Sequence, residues 1–366
     1  MNNEYPRVAF FIPDLGIGGA EKVFTQLLNE FNLRNFKVDL LLSQDVGGFR
    51  KFVDKEVEIT AFCNKRRSKP ILLFNSFIGL LYFVLKYRPV AVYSTLTGAN
   101  IVSLTVGLFV KSSNTKFIIR EANVNDNNNW LYELLSRTLY KKANKVVAVS
   151  EGVKNDLINR LGVCSSKIVV IKNPVDIKKI KLMADAPLQE PLFNKKSNPV
   201  VVSIGRLCPQ KDYETLIKSF KLVRLKSNAK LVIIGEGSEK RKLQQLVSLL
   251  GLDGSVLFLG VKNNPFAYLK SADVYVLSSK WEGFPNTLLE ALAVKCPIVA
   301  TDCHSGPAEI LNGIKGCYLV PVGDKQKMGD AILKVLERPK ERINPEKRLT
   351  EFTITNIAEE YLNLIT

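Results

Sequence analysis

Twelve short apolar runs, rich in Val and Ile, recur along the 366 residues with longer helix-like segments between them. They fall into two series. The first comprises Val8–Ile12, Val38–Leu42, Val90–Tyr93, Phe117–Ile119, Val146–Val149 and Ile168–Ile171. The second comprises Val200–Ile204, Leu231–Ile234, Val256–Leu259, Val274–Leu277, Pro297–Ala300 and Cys317–Val320. Near-continuous apolar runs, as opposed to alternating ones, are what parallel strands covered on both faces require, so each series predicts a doubly wound, Rossmann-like α/β domain. Between the series, Asp185–Pro199 carries three prolines and little periodicity and reads as a linker. The expected organisation is therefore residues 1–184, a linker at 185–199, residues 200–349, and a C-terminal segment 350–366. In that last segment Ile354 to Ile365 has the apolar spacing of an amphipathic helix.

Composition narrows the function classes. Six cysteines without a C-x-x-C pair, and His304 as the single histidine, argue against a zinc site and a disulfide framework. The N-terminal residues lack the basic, apolar and small-residue order of a secretory signal, from which a cytoplasmic protein is expected. The formal charge is +17, and residues 1–172 hold 24 basic against 14 acidic groups. The excess concentrates at Lys65-Arg-Arg-Ser-Lys69, directly before the apolar stretch Pro70–Val84. That stretch is broken by Asn75 and Ser76 and falls short of the roughly 20 residues a bilayer span needs. Two readings stand: a solvated loop ahead of a core helix, or a basic and apolar segment suited to an anionic membrane surface, at about 1 kcal/mol per basic group.

The most informative segment is Trp281-Glu-Gly-Phe-Pro-Asn-Thr-Leu-Leu-Glu290, which leaves an apolar strand, turns at Gly283 and Pro285, and enters an Ala/Leu-rich helix. Free amides at such a helix start favour an anion, and Glu282 and Glu290 suit sugar hydroxyls. Arg206 and Lys211 share the loop after the first strand of the second series, where an Arg fork and a Lys point charge suit a diphosphate. Gly16-Ile-Gly-Gly-Ala-Glu21 follows the first strand of the chain, but Glu21 occupies the place where a dinucleotide fingerprint needs a small residue, so NAD is disfavoured. The turns holding Glu236 and Val261 end neighbouring strands; backbone contact with a flat base and plain chain reversal are both open for them. His304 reads as a surface or turn residue. No Walker-A sequence, G-x-S-x-G elbow or clustered His/Cys/Asp activating set is present, so an enzyme built from these residues gains rate by positioning and by stabilising a departing diphosphate.

Taken together, Gly18-Gly-Ala-Glu21, Gly205-Arg-Leu-x-x-Gln-Lys-Asp212, Glu282-x7-Glu290 and Ser305-Gly-Pro-x-Glu309 resemble the retaining nucleotide-sugar glycosyltransferases of family 4, which have the GT-B fold. The resemblance runs over nearly the whole chain. It implies two facing Rossmann-like domains with a deep cleft, an N-terminal acceptor-binding half, a C-terminal nucleotide-sugar half, and a final helix crossing back onto the first domain. It also implies that Arg206 and Lys211 hold the donor pyrophosphate, Glu290 the ribose and Glu282 the transferred sugar, with Arg206, Lys211 and Glu282 forming the catalytic set. Gly283, Phe284, Pro285, Asn286, Thr287 and Leu288 would meet the phosphate or sugar, Glu236 and Val261 would flank the base, and Gly18 and Gly19 would line the cleft. Glu21, Glu121 and Asn123 are acceptor-side candidates. Many relatives carry a Glu-His pair where this chain has Glu121-Ala122. The departing phosphate oxygen takes the acceptor proton in the retaining route, so the missing base is tolerable.

The expected activity is transfer of a hexose or N-acetylhexosamine from a UDP-sugar to a lipid-linked saccharide of a bacterial surface polysaccharide. No cofactor and no essential metal are expected, and the site of action would be the cytoplasmic face of the membrane, peripherally. A nucleotide-sugar epimerase of the same fold leans on acid/base side chains in the cleft, and the scarcity of histidine counts against it. A basic nucleic-acid-binding protein would need a recognition motif or aromatic residues interleaved with the basic runs, and neither is found.

Overall fold

The computed structural model describes residues 5–16, 18–110, 113–123, 130–194, 198–337 and 343–365. Ile17 and residues 195–197 of the expected linker lie outside them. The chain divides into two compact units, Met1–Pro174 with Ile354–Thr366, and Val175–Thr353.

The first unit is built on strands β1 (Arg7–Ile12), β2 (Lys37–Leu42), β3 (Glu58–Ala61), β4 (Ala91–Thr95), β5 (Lys116–Glu121), β6 (Lys145–Ala148) and β7 (Ile168–Val170). Its helices are α1 (Gly19–Asn32), α2 (Lys69–Tyr87), α3 (Thr97–Phe109), α4 (Trp130–Leu139) and α5 (Glu151–Asn159). All strand pairs are parallel and the order is β3-β2-β1-β4-β5-β6-β7. The order reverses between β1 and β4, the switch point at which ligands of doubly wound sheets bind. Helices α2, α3 and α4 pack side by side. Helix α1 lays Phe24 and Phe31 edge-on against Phe10 of β1 at 5.1 and 5.3 Å.

β3 is absent from the expected strands, and its physical setting explains why. It is an edge strand with alternating exposed and half-buried residues, carrying Glu58 and Thr60, so it never needed a continuous apolar run.

The second unit contains α6 (Ile177–Ala184), α7 (Pro191–Asn194), α8 (Tyr213–Arg224), α9 (Lys240–Leu249), α10 (Phe266–Ser271), α11 (Asn286–Ala293), α12 (Pro307–Leu311), α13 (Lys325–Leu336) and α14 (Glu346–Thr350). Strands β8 (Val200–Ile204), β9 (Lys230–Ile234), β10 (Val256–Phe258), β11 (Val274–Leu277), β12 (Ile298–Thr301) and β13 (Cys317–Val320) form a parallel sheet ordered β10-β9-β8-β11-β12-β13. Its switch point lies between β8 and β11.

The first boundary and the character of the linker differ from the expectation. The division falls at Pro174, ten residues before 184, because α6 packs on α10 and α11. The proline-rich stretch is also not a free tether: Glu190 pairs with Lys262 at 2.6 Å and accepts from the Tyr268 hydroxyl, and Asp185 pairs with Lys270. The final helix, α15 (Ile354–Leu362), belongs to the first unit. There Tyr361 packs on Tyr93 at 5.8 Å, and the Tyr93 hydroxyl donates to its carbonyl at 2.7 Å.

Candidate functional site

The carboxyl ends of β8 and β11 carry the loops that the sequence singled out. After β8 the chain forms Gly205–Asp212, closing with Asp212 in the left-handed region at φ 45. Asp212 caps α8, accepting from the Thr215 hydroxyl at 2.8 Å. This turn sends Lys211 toward the neighbouring loop, where its Nζ lies 2.5 Å from Glu282 Oε1. The same oxygen accepts from Ser279 Oγ at 2.6 Å. Glu282 is 6% exposed, so this carboxylate is held by a cation and a hydroxyl with little access to water.

The two loops are cross-braced. Ser278 Oγ donates to the Lys211 carbonyl at 2.7 Å, Gln210 Nε2 to the Trp281 carbonyl at 2.9 Å, and Lys280 N to the Gln210 carbonyl at 2.8 Å. Ser279 is braced in turn by Thr301 Oγ1, 2.6 Å from its carbonyl. Ser278, Ser279 and Thr301 brace this candidate site and were not among the residues expected from the sequence. For Ser278 and Ser279 the signal was two hydroxyls placed directly after the apolar run of β11; Thr301 is the last residue of β12.

Arg206, on the same loop as Lys211, is exposed and makes no side-chain hydrogen bond or ion pair among the described residues. A guanidinium held on a braced loop, beside a buried ion pair and at a switch point, is arranged for an anionic ligand. The next loop presses directly on it. Leu207 N donates to the Glu236 carbonyl at 2.9 Å, and any Cβ on Gly235, at φ 145, would run into the Gly205 carbonyl oxygen. Glu236 itself is exposed and paired with Lys240 at 2.7 Å, and Val261 stands 54% exposed at the end of β10.

Downstream of Glu282 the chain buries Gly283, Phe284 and Pro285 and starts α11 at Asn286. Glu290 therefore sits in the second turn of α11, 6% exposed. Thr287 is fixed by the Tyr275 hydroxyl at 2.8 Å, and Leu288 is fully buried. The Ser305-Gly306-Pro307 turn underpins this segment. Ser305 Oγ donates to the Gly283 carbonyl at 2.8 Å, while a Cβ on Gly306, at φ 93, would meet that same carbonyl at 2.8 Å and Pro285 Cδ at 2.7 Å. Thus Arg206, Lys211 and Glu282 through Glu290 are gathered at one edge of one sheet. His304 is exposed beside them.

Gly18, Gly19 and Glu21 lie in the first unit, at the start of α1. Glu21 folds its carboxylate over that start, so that a side chain at position 18 would collide with it. An acid already complements the positive end of α1. The switch point of this unit holds a cavity of about 310 Å³ lined by Gln44, Lys69, Leu72, Thr97, Gly98 and Tyr132 among others. Gln44 is oriented by Asp14, whose Oδ2 accepts from its amide at 3.0 Å. Neither Glu21, Glu121 nor Asn123 lines this cavity.

Glu121, an acceptor-side candidate in the sequence, is turned into the interior. It is 4% exposed, and the Tyr140 hydroxyl donates to its Oε2 at 2.9 Å. Asn100 Nδ2 donates to that hydroxyl and to the Arg120 carbonyl, while Arg120 spans Thr95 and Asn173. The network locks the carboxyl ends of β4 and β5 together. Burial pushes the Glu121 carboxyl up from 4.5 to about 7. The folded chain then keeps the proton up to about pH 7, whereas the unfolded chain releases it near 4.5, so stability falls as pH rises through that window. Glu121→Gln, which mimics the protonated acid, is expected to raise thermal stability above pH 7 by on the order of 2 kcal/mol. The gain should vanish at pH 4, and melting curves across pH read it. Asn123 is half-buried with its Oδ1 unpartnered, just beyond this network.

With this geometry in hand, comparison with known proteins decides the family. The Glycosyltransferase Family 4 model matches residues 17–179 and the Glycosyl transferases group 1 model matches residues 186–352. The N-acetylgalactosamine-N,N'-diacetylbacillosaminyl-diphospho-undecaprenol 4-alpha-N-acetylgalactosaminyltransferase of Campylobacter jejuni is 30% identical over 352 residues, 92% of each chain. The chain is a family 4 glycosyltransferase. An uncharacterized glycosyltransferase of Methanocaldococcus jannaschii is 35% identical over 75% of this chain and 70% of its own length. Among solved structures, Anabaena HepE in complex with UDP and glucose superposes with a TM-score of 0.81 at 17% identity, over 98% of this glycosyltransferase and 99% of HepE. That likeness establishes the GT-B fold, and the glycosyltransferase is accordingly an enzyme of two Rossmann-like units.

Proposed function

We propose that this enzyme moves a single hexose or N-acetylhexosamine from a UDP-sugar, with retention of configuration, onto a lipid-linked saccharide destined for a bacterial surface glycan. The observation that carries the donor half is the Lys211–Glu282 pair on the loop it shares with Arg206, whose side chain has no partner among the described residues. Arg206 and Lys211 neutralise the departing diphosphate, the first turn of α11 faces its oxygens, Glu290 binds ribose hydroxyls and Glu282 holds the sugar. In the transfer step the bond from the anomeric carbon to the phosphate oxygen breaks. The acceptor oxygen bonds to the same face of the sugar, and its proton passes to the departing phosphate oxygen. No side-chain base is needed, which accommodates Ala122.

The acceptor half rests on the cavity at the switch point of the first unit, where Lys69, Gln44, Thr97 and Tyr132 offer a cation and hydrogen-bonding groups to a saccharide or its phosphate. A lipid-linked acceptor is supported by the diphospho-undecaprenol compound in the name of the Campylobacter relative, and UDP by the ligand in the HepE structure. Work at the cytoplasmic face of the membrane, through peripheral attachment, follows from such an acceptor.

Because Arg206 and Lys211 supply positive charge at the diphosphate, transfer is expected without a divalent metal. UDP release that depends on added lipid-linked acceptor and persists in EDTA is the expected result. Release that is independent of acceptor, or abolished by the chelator, would count against this reading.

A further inference from the structure

The Ser305-Gly-Pro-x-Glu309 motif has no part in the transfer step, yet its backbone lies directly against the donor loop. It opens α12, a short helix pinned at both ends. At the start, Ser305 Oγ donates to the Gly283 carbonyl at 2.8 Å. At the end, the guanidinium of Arg348 at α14 donates to two successive carbonyls, Nη2 to that of Glu309 and Nε to that of Ile310 at 3.4 Å. Carbonyls in the last turn of a helix lack a partner within it, and a guanidinium there supplies both hydrogen bonds and a charge that suits the negative end of the dipole. So short a helix does not hold its shape alone in water, so α12 stands where Ser305 and Arg348 fix it.

The same segment reaches the donor loop from a second side. The Arg348 guanidinium lies over the Phe352 ring, 5.3 Å from its centroid, and that ring meets Phe284 edge-on at 5.6 Å. Phe352 is fully buried and Phe284 is 4% exposed. Phe352 is anchored in turn, its carbonyl accepting from Val175 N at 2.7 Å. Beyond the other end of α11, Lys295 pairs with Glu346, the first residue of α14, at 2.8 Å. Phe284 precedes α11 and Lys295 follows it, so residues 346–352 splint the whole helix that carries Glu290. The side chains that pack β8, β9 and β11 against α8 and α13 form a cluster that includes neither Phe284, Phe352 nor any residue of α14. The splint therefore serves the donor loop and α11, not that part of the core.

We propose that Arg348 and Phe352 are positioning residues of the donor site: through α12 and the Phe284 ring they hold the Gly283-Phe284-Pro285 backbone and the start of α11 where these meet the donor. The inference rests on the donor reading above and adds the residues outside the loop that set its geometry. Both act through Gly283 and Phe284, not on the ligand itself. Arginine is the fitting cation, since its planar fork serves the Glu309 and Ile310 carbonyls together while lying over Phe352, which a lysine ammonium does not reproduce.

The test uses the full chain and the variants R348M, R348K and F352L, with K347M as a control on the same helix. R348M keeps an apolar stem against Phe352 and F352L keeps an apolar side chain in its place, so both are expected to fold. Amide hydrogen exchange is read at Phe284, Thr287 and Leu288 without ligand, and UDP affinity is read by calorimetry. In R348M and F352L, exchange at these amides should quicken at least tenfold and UDP should bind about tenfold more weakly. R348K should recover part of the loss, and K347M should match the wild type. Melting temperatures that fall while exchange at these amides and UDP affinity stay at wild-type values would show packing alone and overturn the proposal. So would a loss in K347M as large as that in R348M. Absence of UDP binding by the wild type would remove the donor reading, while the exchange result still decides whether Arg348 and Phe352 position the loop.

Discussion

Glu282→Gln is expected to lower sugar transfer by a hundredfold or more while the second unit stays folded. The amide keeps the shape of the carboxylate and can still accept from Ser279 Oγ, which now lies 2.6 Å from Oε1. What it loses is the negative charge that pairs with Lys211 and would grip the donor sugar's hydroxyls. Lys211→Met is the informative companion. It leaves a 6% exposed carboxylate without its cation, which for a buried pair costs about 3–5 kcal/mol. This variant should therefore lose thermal stability as well as activity, whereas Glu282→Gln loses chiefly activity. Melting temperatures measured alongside initial rates separate the two. Equal activity of Glu282→Gln and wild type would remove Glu282 from the chemistry.

How far the sequence led depended on the physical character of each element. Strands buried on both faces announce themselves as apolar runs, so all six of the second unit were legible. In the first unit the edge strand β3 was not, because Glu58 and Thr60 face outward. Arg206, Lys211, Glu282 and Glu290 stood out as candidates because diphosphate and sugar chemistry calls for those residue types near strand ends. The hydroxyls that brace them, Ser278, Ser279 and Thr301, act through geometry that arises only once β8, β11 and β12 lie side by side.

Glu121 shows what the sequence leaves open. Its place beside a family motif suggested a site residue, but an acid's role depends on which way the strand turns it, and here it points to Tyr140 in the interior. The proline-rich segment misled for a related reason. Prolines mark the absence of regular structure, not the absence of contacts, and Glu190 anchors that stretch to Lys262 and Tyr268. For α2 the length and apolarity were legible but the partition of faces was not; burial of Leu80, Phe83 and Val84 assigns one side to the core and leaves Phe74 and Ile78 outside.

Arg206→Ala carries the second large effect and reaches the central claim by the shortest route. Arg206 is exposed and has no side-chain partner among the described residues, so its removal should leave folding unchanged. The backbone of its loop would remain pinned by Leu207 N to the Glu236 carbonyl and by the Gly235 approach to Gly205. Any loss of affinity is then a loss of ligand contact. A fork that binds two phosphate oxygens makes charge-assisted hydrogen bonds worth about 1.5–3 kcal/mol, which corresponds to roughly a hundredfold in affinity when the pair is lost.

The decisive measurement is a calorimetric titration of UDP into wild-type protein and Arg206→Ala, each with its melting temperature recorded. The structure predicts saturable binding by the wild type, about a hundredfold weaker binding by the variant, and coincident melting curves without ligand. Wild-type affinity in Arg206→Ala, or no UDP binding by either protein, would contradict the assignment of the β8 and β11 loops as the donor diphosphate site.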